Sequence, residues 1–335
     1  MTRETFFNTL SFLLIACCLI SCACLTKSQL KEVNAFGTLT KDFSATPGKI
    51  FSTYNDVEVQ KQLFLTNAIQ NADMHLASID EFYKNQNKKS KLNAQADAAM
   101  QVLNDYGQKL AHLAADVHSK ELDTAALSAG KNLDGLITSY NTLLPAHKIP
   151  TGIGAFVGQA LSATGDIYIQ HKQAMAVKEF VIRGDVLVTN IVAAINESLD
   201  ASGDLSFKAL LENEKTDLRK NYRLFRKRAQ EEVKIFPINL KTRKADTLMS
   251  HIGQVDAWHS GGLDADRLYL QCLANLDTDE QLRLKCIAAA DTLLKAHHQM
   301  LADLQERKKI KDFYTTLQGY SGSVSELYAT FKKIK

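Results

Sequence analysis

Proline is scarce in this chain of 335 residues. Only Pro47, Pro145, Pro150 and Pro237 occur, so long stretches lack the residue that most effectively stops a helix. Tryptophan appears once, as Trp258, and no segment alternates apolar and polar residues over the length of a strand, which argues against a sheet. Cysteine occupies six positions, four of them between Cys17 and Cys24, leaving Cys272 and Cys286 for the rest of the chain. Two cysteines without neighbouring histidines build neither a disulfide-rich scaffold nor a zinc site. Excess charge of one sign is also missing: 40 basic and 37 acidic residues leave +3, which excludes a polyelectrolyte built to bind nucleic acid. The chain holds no G-x-S-x-G, phosphate loop, H-E-x-x-H or Glu-x-x-His, so no cofactor or metal is expected and no enzyme is read from it. What is plentiful is Ala, Leu, Lys, Gln and Glu, with 45% of residues apolar. That composition predicts an all-α fold, an elongated antiparallel helical bundle.

The N-terminus has a different character. After Arg3 and Glu4, residues 5–26 carry no charge, and Phe12 to Ile20 form an apolar run ahead of small residues, the pattern of an export signal. Leu19-Ile20-Ser21-Cys22 resembles the lipobox of bacterial prolipoproteins. The resemblance implies cleavage before Cys22, acylation of its thiol and a cell-envelope location with membrane lipid as partner. In that family Ala23, rather than Asp, implies the outer membrane facing the periplasm if the cell is Gram-negative. Leu14-Ile15-Ala16-Cys17 has the same form, and residues 5–26 are long enough to be an uncleaved anchor helix. Cys22 is favoured because Cys18-Leu19-Ile20 after Cys17 is still apolar, whereas polar residues follow from Thr26. The expected organisation is a signal over 1–21, a tether over 22–54 and a helical bundle over 55–335, with sub-boundaries near 145–150 and 237.

Apolar periodicity organises the rest. Leu65, Ile69, Ala72, Leu76, Ile79 and Tyr83 recur at steps of three and four, as do Leu92, Ala96, Ala99, Leu103, Tyr106, Leu110, Leu113 and Val117. The polar run 84–89 between them predicts the turn of a coiled-coil-like hairpin over 55–118. A third helix should stop at Pro145. Residues 151–200 are the most apolar part of the body, with Gly154 and Gly158 forming a GxxxG and Gly184-Asp185 marking a turn or irregularity. Turns are also expected at Trp258–Gly262 and Asn275–Asp277, and a break across 305–309, where two apolar series fall out of phase.

Few residues suggest chemistry. His297 lies in an apolar series and reads as a core histidine, while its neighbour His298 diverges by about 100°. His112 and Asp116 share a helix face. Lys215, Arg219, Arg223 and Arg226 form a basic stripe suited to anionic surfaces: lipid headgroups, an acidic envelope protein or an anionic envelope polymer. Cys272 and Cys286 are expected to form a disulfide in an oxidising compartment. Two functions follow as expectations. One is a lipid-anchored scaffold or adaptor; Lys335 adds only a faint resemblance to the C-terminal lysine of Braun-type lipoproteins. The other is a membrane-active protein resembling helical pore-forming toxins, with residues 149–165 as its buried segment.

Overall fold

The computed structural model describes residues 25–45, 48–69, 71–115, 132–155, 169–200, 206–235, 245–306 and 311–332. Its elements are α1 (Lys27–Ser44), α2 (Gly48–Thr66), α3 (Ala72–Ala114), α4 (132–143), α5 (Ile169–Asp200), α6 (Phe207–Ile235), α7 (Ala245–Glu306) and α8 (Lys311–Phe331). One 3-10 turn covers Pro145–His147. The fold is all-α: among the described residues there is no strand, and no helix is long and apolar enough to cross a membrane.

The chain divides into two compact units, each assembled from segments distant in sequence. Unit 1 takes Met1–Pro47, Gln95–Asn196 and Ile287–Leu327; unit 2 takes Gly48–Ala94, Glu197–Cys286 and Tyr328–Lys335. The prolines at 145 and 150 therefore bound a turn inside unit 1, not a border between domains. Pro145 does end α4, and Asn141 ties the turn back by bonding both the N–H and the C=O of Ile149 at 2.8 Å. The Asp134 carboxylate accepts the amides of Gly152, Gly154 and Ala155, and Gly152 supplies a positive φ of 87°. Most of the expected membrane-active segment, with Gly158 of the GxxxG, lies outside the described residues.

Much of the expected tether is a core helix. Thr26 begins α1 with a capping box: its hydroxyl accepts from Gln29 N at 3.2 Å, and Gln29 Oε1 accepts from Thr26 N at 2.7 Å. Val33, Phe36, Thr40 and Phe43 then recur at helical spacing, and all are buried. They lie along the second half of α3. Here Gly37 and Gly107 let two backbones meet, since a Cβ on Gly37 would stand 2.5 Å from Ala111 N and 2.6 Å from Gly107 O. Asn34 Nδ2 donates to Ala111 O at 2.6 Å and Asn104 Nδ2 to Ser44 Oγ at 2.9 Å, fixing the register. Gly37, Thr38 and Thr40 are weak helix formers, and they hid the period.

The expected hairpin turn is displaced. α3 runs unbroken through 84–89, because Lys and Gln interrupt an apolar face without interrupting a helix. The chain reverses near Asn71 instead, whose Oδ1 caps α3 by accepting Asp73 N at 2.9 Å and Met74 N at 3.0 Å. Leu103 and Leu110 are fully buried, as their seam requires, whereas Leu76, Ile79 and Tyr83 are exposed. α7 likewise continues through both expected turns, Trp258–Gly262 and Asn275–Asp277. α5 continues through Gly184-Asp185. α7 ends at Glu306 and α8 begins at Lys311, in keeping with the phase break.

Candidate functional site

A buried polar group in unit 1 is centred on His297. The imidazole is fully buried; Tyr106 Oη stands 2.8 Å from its Nε2, and Asp185 Oδ1 stands 3.2 Å from its Nδ1. His298, half exposed, approaches the same Asp185 oxygen at 3.4 Å. Burial pushes the His297 pKa below the usual histidine range, against the pull of Asp185, and so favours the neutral ring. A neutral ring in this setting donates from Nδ1 to the carboxylate and accepts the Tyr106 hydroxyl at Nε2. The His297 hydrogen bond in turn holds the Asp185 carboxyl below its ordinary value, and burial drives the Tyr106 phenol well above its own.

Packing seals this arrangement. Tyr106 stacks on Phe180 at 5.0 Å between ring centroids, and Phe36 covers His297 at 5.8 Å. Gly184 faces the Tyr106 ring, where a Cβ would stand 2.4 Å from Cε2. Glycine costs a helix about 1 kcal/mol, and here it makes the space in which Tyr106 reaches His297. The network therefore fixes the rotation of α3, α5 and α7 against one another within unit 1. Its only titratable groups open to solvent are Asp185 and His298.

Unit 2 buries charge differently. The Glu214 carboxylate, almost wholly buried, accepts from Lys61 Nζ at 2.7 Å and from Tyr54 Oη at 3.4 Å through the same oxygen. Arg283, 3% exposed, is held by Asp200 at 2.7 Å and by both oxygens of Glu280 at 2.8 and 2.9 Å. One turn before it, Asp279 is fully buried, and among the described residues neither of its oxygens has a hydrogen-bond partner. Burial pushes its carboxyl up to about 7.

The expected disulfide does not form. Cys272 and Cys286 are both free and buried, and both lie on the single helix α7. At about 1.5 Å of rise per residue their Cα atoms are about 21 Å apart, three times the reach of a bridge. Burial raises their thiols to about 11 and about 12, so neither is a ready nucleophile.

The basic stripe lies on α6, and its ends are answered by α7. Lys215 Nζ meets Asp277 at 2.7 Å, and Arg226 Nε meets Asp266, which also accepts the Tyr222 hydroxyl, at 3.8 Å. Arg219 and Arg223, in the middle, are exposed. His112 is exposed, while Asp116, Cys22 and Lys335 lie outside the described residues. Among the described residues no group of three or more His, Cys, Asp or Glu side chains could hold a metal ion.

Sequence reasoning placed His297 in the core but missed its partners. Asp185 and Tyr106 lie 112 and 191 positions away, and no local spacing connects them. Comparison with family models, with curated proteins and with solved structures finds no match in any of the three.

Proposed function

We propose that this chain is a lipid-anchored cell-envelope protein whose helical body serves as a scaffold or adaptor, held to membrane lipid through Cys22. The observation that carries this reading is Leu19-Ile20-Ser21-Cys22 behind an uncharged apolar run. The capped start of α1 at Thr26 adds a physical consequence. Thr26 is four residues beyond Cys22, so at about 3.5 Å per residue the body stands within about 14 Å of its anchor. A body held this close meets partners at the membrane face itself. Arg219 and Arg223 are the cations of the α6 stripe that remain exposed, and they suit an acidic envelope protein or an anionic polymer.

The test is the mass and partitioning of the mature chain in envelope extracts. The expected product begins at Cys22, carries an acyl adduct and enters the detergent phase, and Cys22→Ser abolishes all three properties. A Cys22→Ser chain that still partitions into detergent with an unchanged mature mass would move the anchor to Cys17 or to an uncleaved helix.

A further inference from the structure

We infer that a groove at the head of α1, in unit 1, seats the headgroup of an anionic phospholipid from the membrane that holds Cys22. This inference rests on the anchor reading given above. The groove has a volume of about 320 Å³. Leu30, Ala114 and Ala115 line it with apolar surface, and Lys27 and Lys31 are also part of its lining. The two lysines are one helical turn apart, so their ammonium groups share a face, and both are exposed.

Three features make the groove suited to an anion. None of the described residues that line it is acidic, and the first turn of α1 holds no carboxylate. Three carbonyls at the C-terminal end of α3, which would repel an anion, are engaged by side-chain amides. Asn34 Nδ2 donates to Ala111 O at 2.6 Å, and the buried Gln173 donates from Nε2 to Leu113 O at 2.9 Å and Ala115 O at 2.5 Å. Finally, Lys27 is only five residues beyond Cys22, at most about 18 Å of extended chain. An acyl chain on Cys22 would therefore keep these lysines within reach of the phosphates.

The apolar lining selects among anions. Inorganic phosphate has nothing to place on Leu30 and Ala114, whereas a phosphodiester carrying a glycerol backbone and the start of an acyl chain presents charge and hydrocarbon together. Two lysines at an anionic surface contribute about 1 kcal/mol each, which corresponds to about thirtyfold in retention.

The full chain, purified from membranes in its processed form, would be embedded in phosphatidylcholine nanodiscs containing phosphatidylglycerol and released intact into a mass spectrometer. The expected result is one phosphatidylglycerol retained in preference to phosphatidylcholine. Its retention should fall about thirtyfold in Lys27→Gln/Lys31→Gln and persist in Arg219→Gln/Arg223→Gln. Equal retention of the two lipids, equal retention by the lysine variant, or displacement of the lipid by inorganic phosphate would overturn the inference. The Cys22 adduct is read in the same spectrum. A missing adduct sinks the anchor alone, and lysine-dependent retention in that case leaves the groove standing.

Discussion

Among the described residues, Asp279 buries both carboxylate oxygens without a hydrogen-bond partner. A carboxyl pushed up to about 7 binds its proton more tightly in the folded chain than in the unfolded one. Stability from this group is therefore highest in acid and declines as pH rises toward 7. At pH 8 the folded chain holds a buried carboxylate with no hydrogen-bond partner among the described residues. Asp279→Asn removes the charge and keeps the shape. We expect its urea midpoint at pH 8 to rise by the equivalent of about 2 kcal/mol, less than the full charge penalty because the amide lacks partners too. The gain should vanish at pH 4, where the wild-type carboxyl is protonated. An Asp279→Asn chain less stable than wild type at pH 8 would mean that the carboxylate is satisfied after all. Nothing in the sequence marked this residue: Asp277 and Glu280 look like the opening of a helix, and Asp279 between them passes for a surface position.

At the level of the element, the helix pair α1–α3 shows what periodicity can and cannot reveal. Within the series from Leu92 to Val117, the spacing identified the buried face of α3 at Ala99, Leu103, Tyr106, Leu110 and Leu113. It could not say what covers that face, because a period describes one helix and not its partner. The same limit moved the reversal from 84–89 to Asn71 and drew two turns through α7, where Gly261-Gly262 and Asn275 sit inside a continuous helix. All-α class was legible because it depends on composition and repeated spacing; the pairing was not, because it rests on single small residues. Gly37 is the clearest case. Gly37→Ala would ordinarily favour a helix by about 1 kcal/mol. Here the added methyl meets Ala111 N and Gly107 O at 2.5 and 2.6 Å, backbone atoms that cannot swing aside. The expected net effect is a loss of about 1–3 kcal/mol, read as a lower thermal midpoint, with Gly319→Ala, where a Cβ meets nothing within 4 Å, as the control. A Gly37→Ala chain that melts with or above wild type would remove the close approach from the fold.

For the molecule as a whole, the two units should answer acid in opposite directions. His297 in unit 1 binds its proton less tightly when folded, so unit 1 is stable above the ordinary histidine pKa of about 6.5 and weakens as pH falls below it. Asp279 in unit 2 has the reverse sign over the interval from about 7 down to the ordinary carboxyl range. Hydrogen exchange, corrected for intrinsic rates, should show protection falling around Ala296–Met300 and rising around Leu276–Leu282 between about pH 7 and 5. Changes of the same sign in both regions would contradict this assignment. The interleaving of segments also governs time. Tyr320 Oη donates to Leu39 O across 281 positions of chain, and Phe36 packs on Phe313 and Tyr320. Helix α1 can thus meet α3 early in synthesis, but its contacts with α8 must wait until nearly all the remaining sequence is made. A polypeptide wired in this way cannot complete unit 1 until residues 287–327 have been made, when synthesis is almost over.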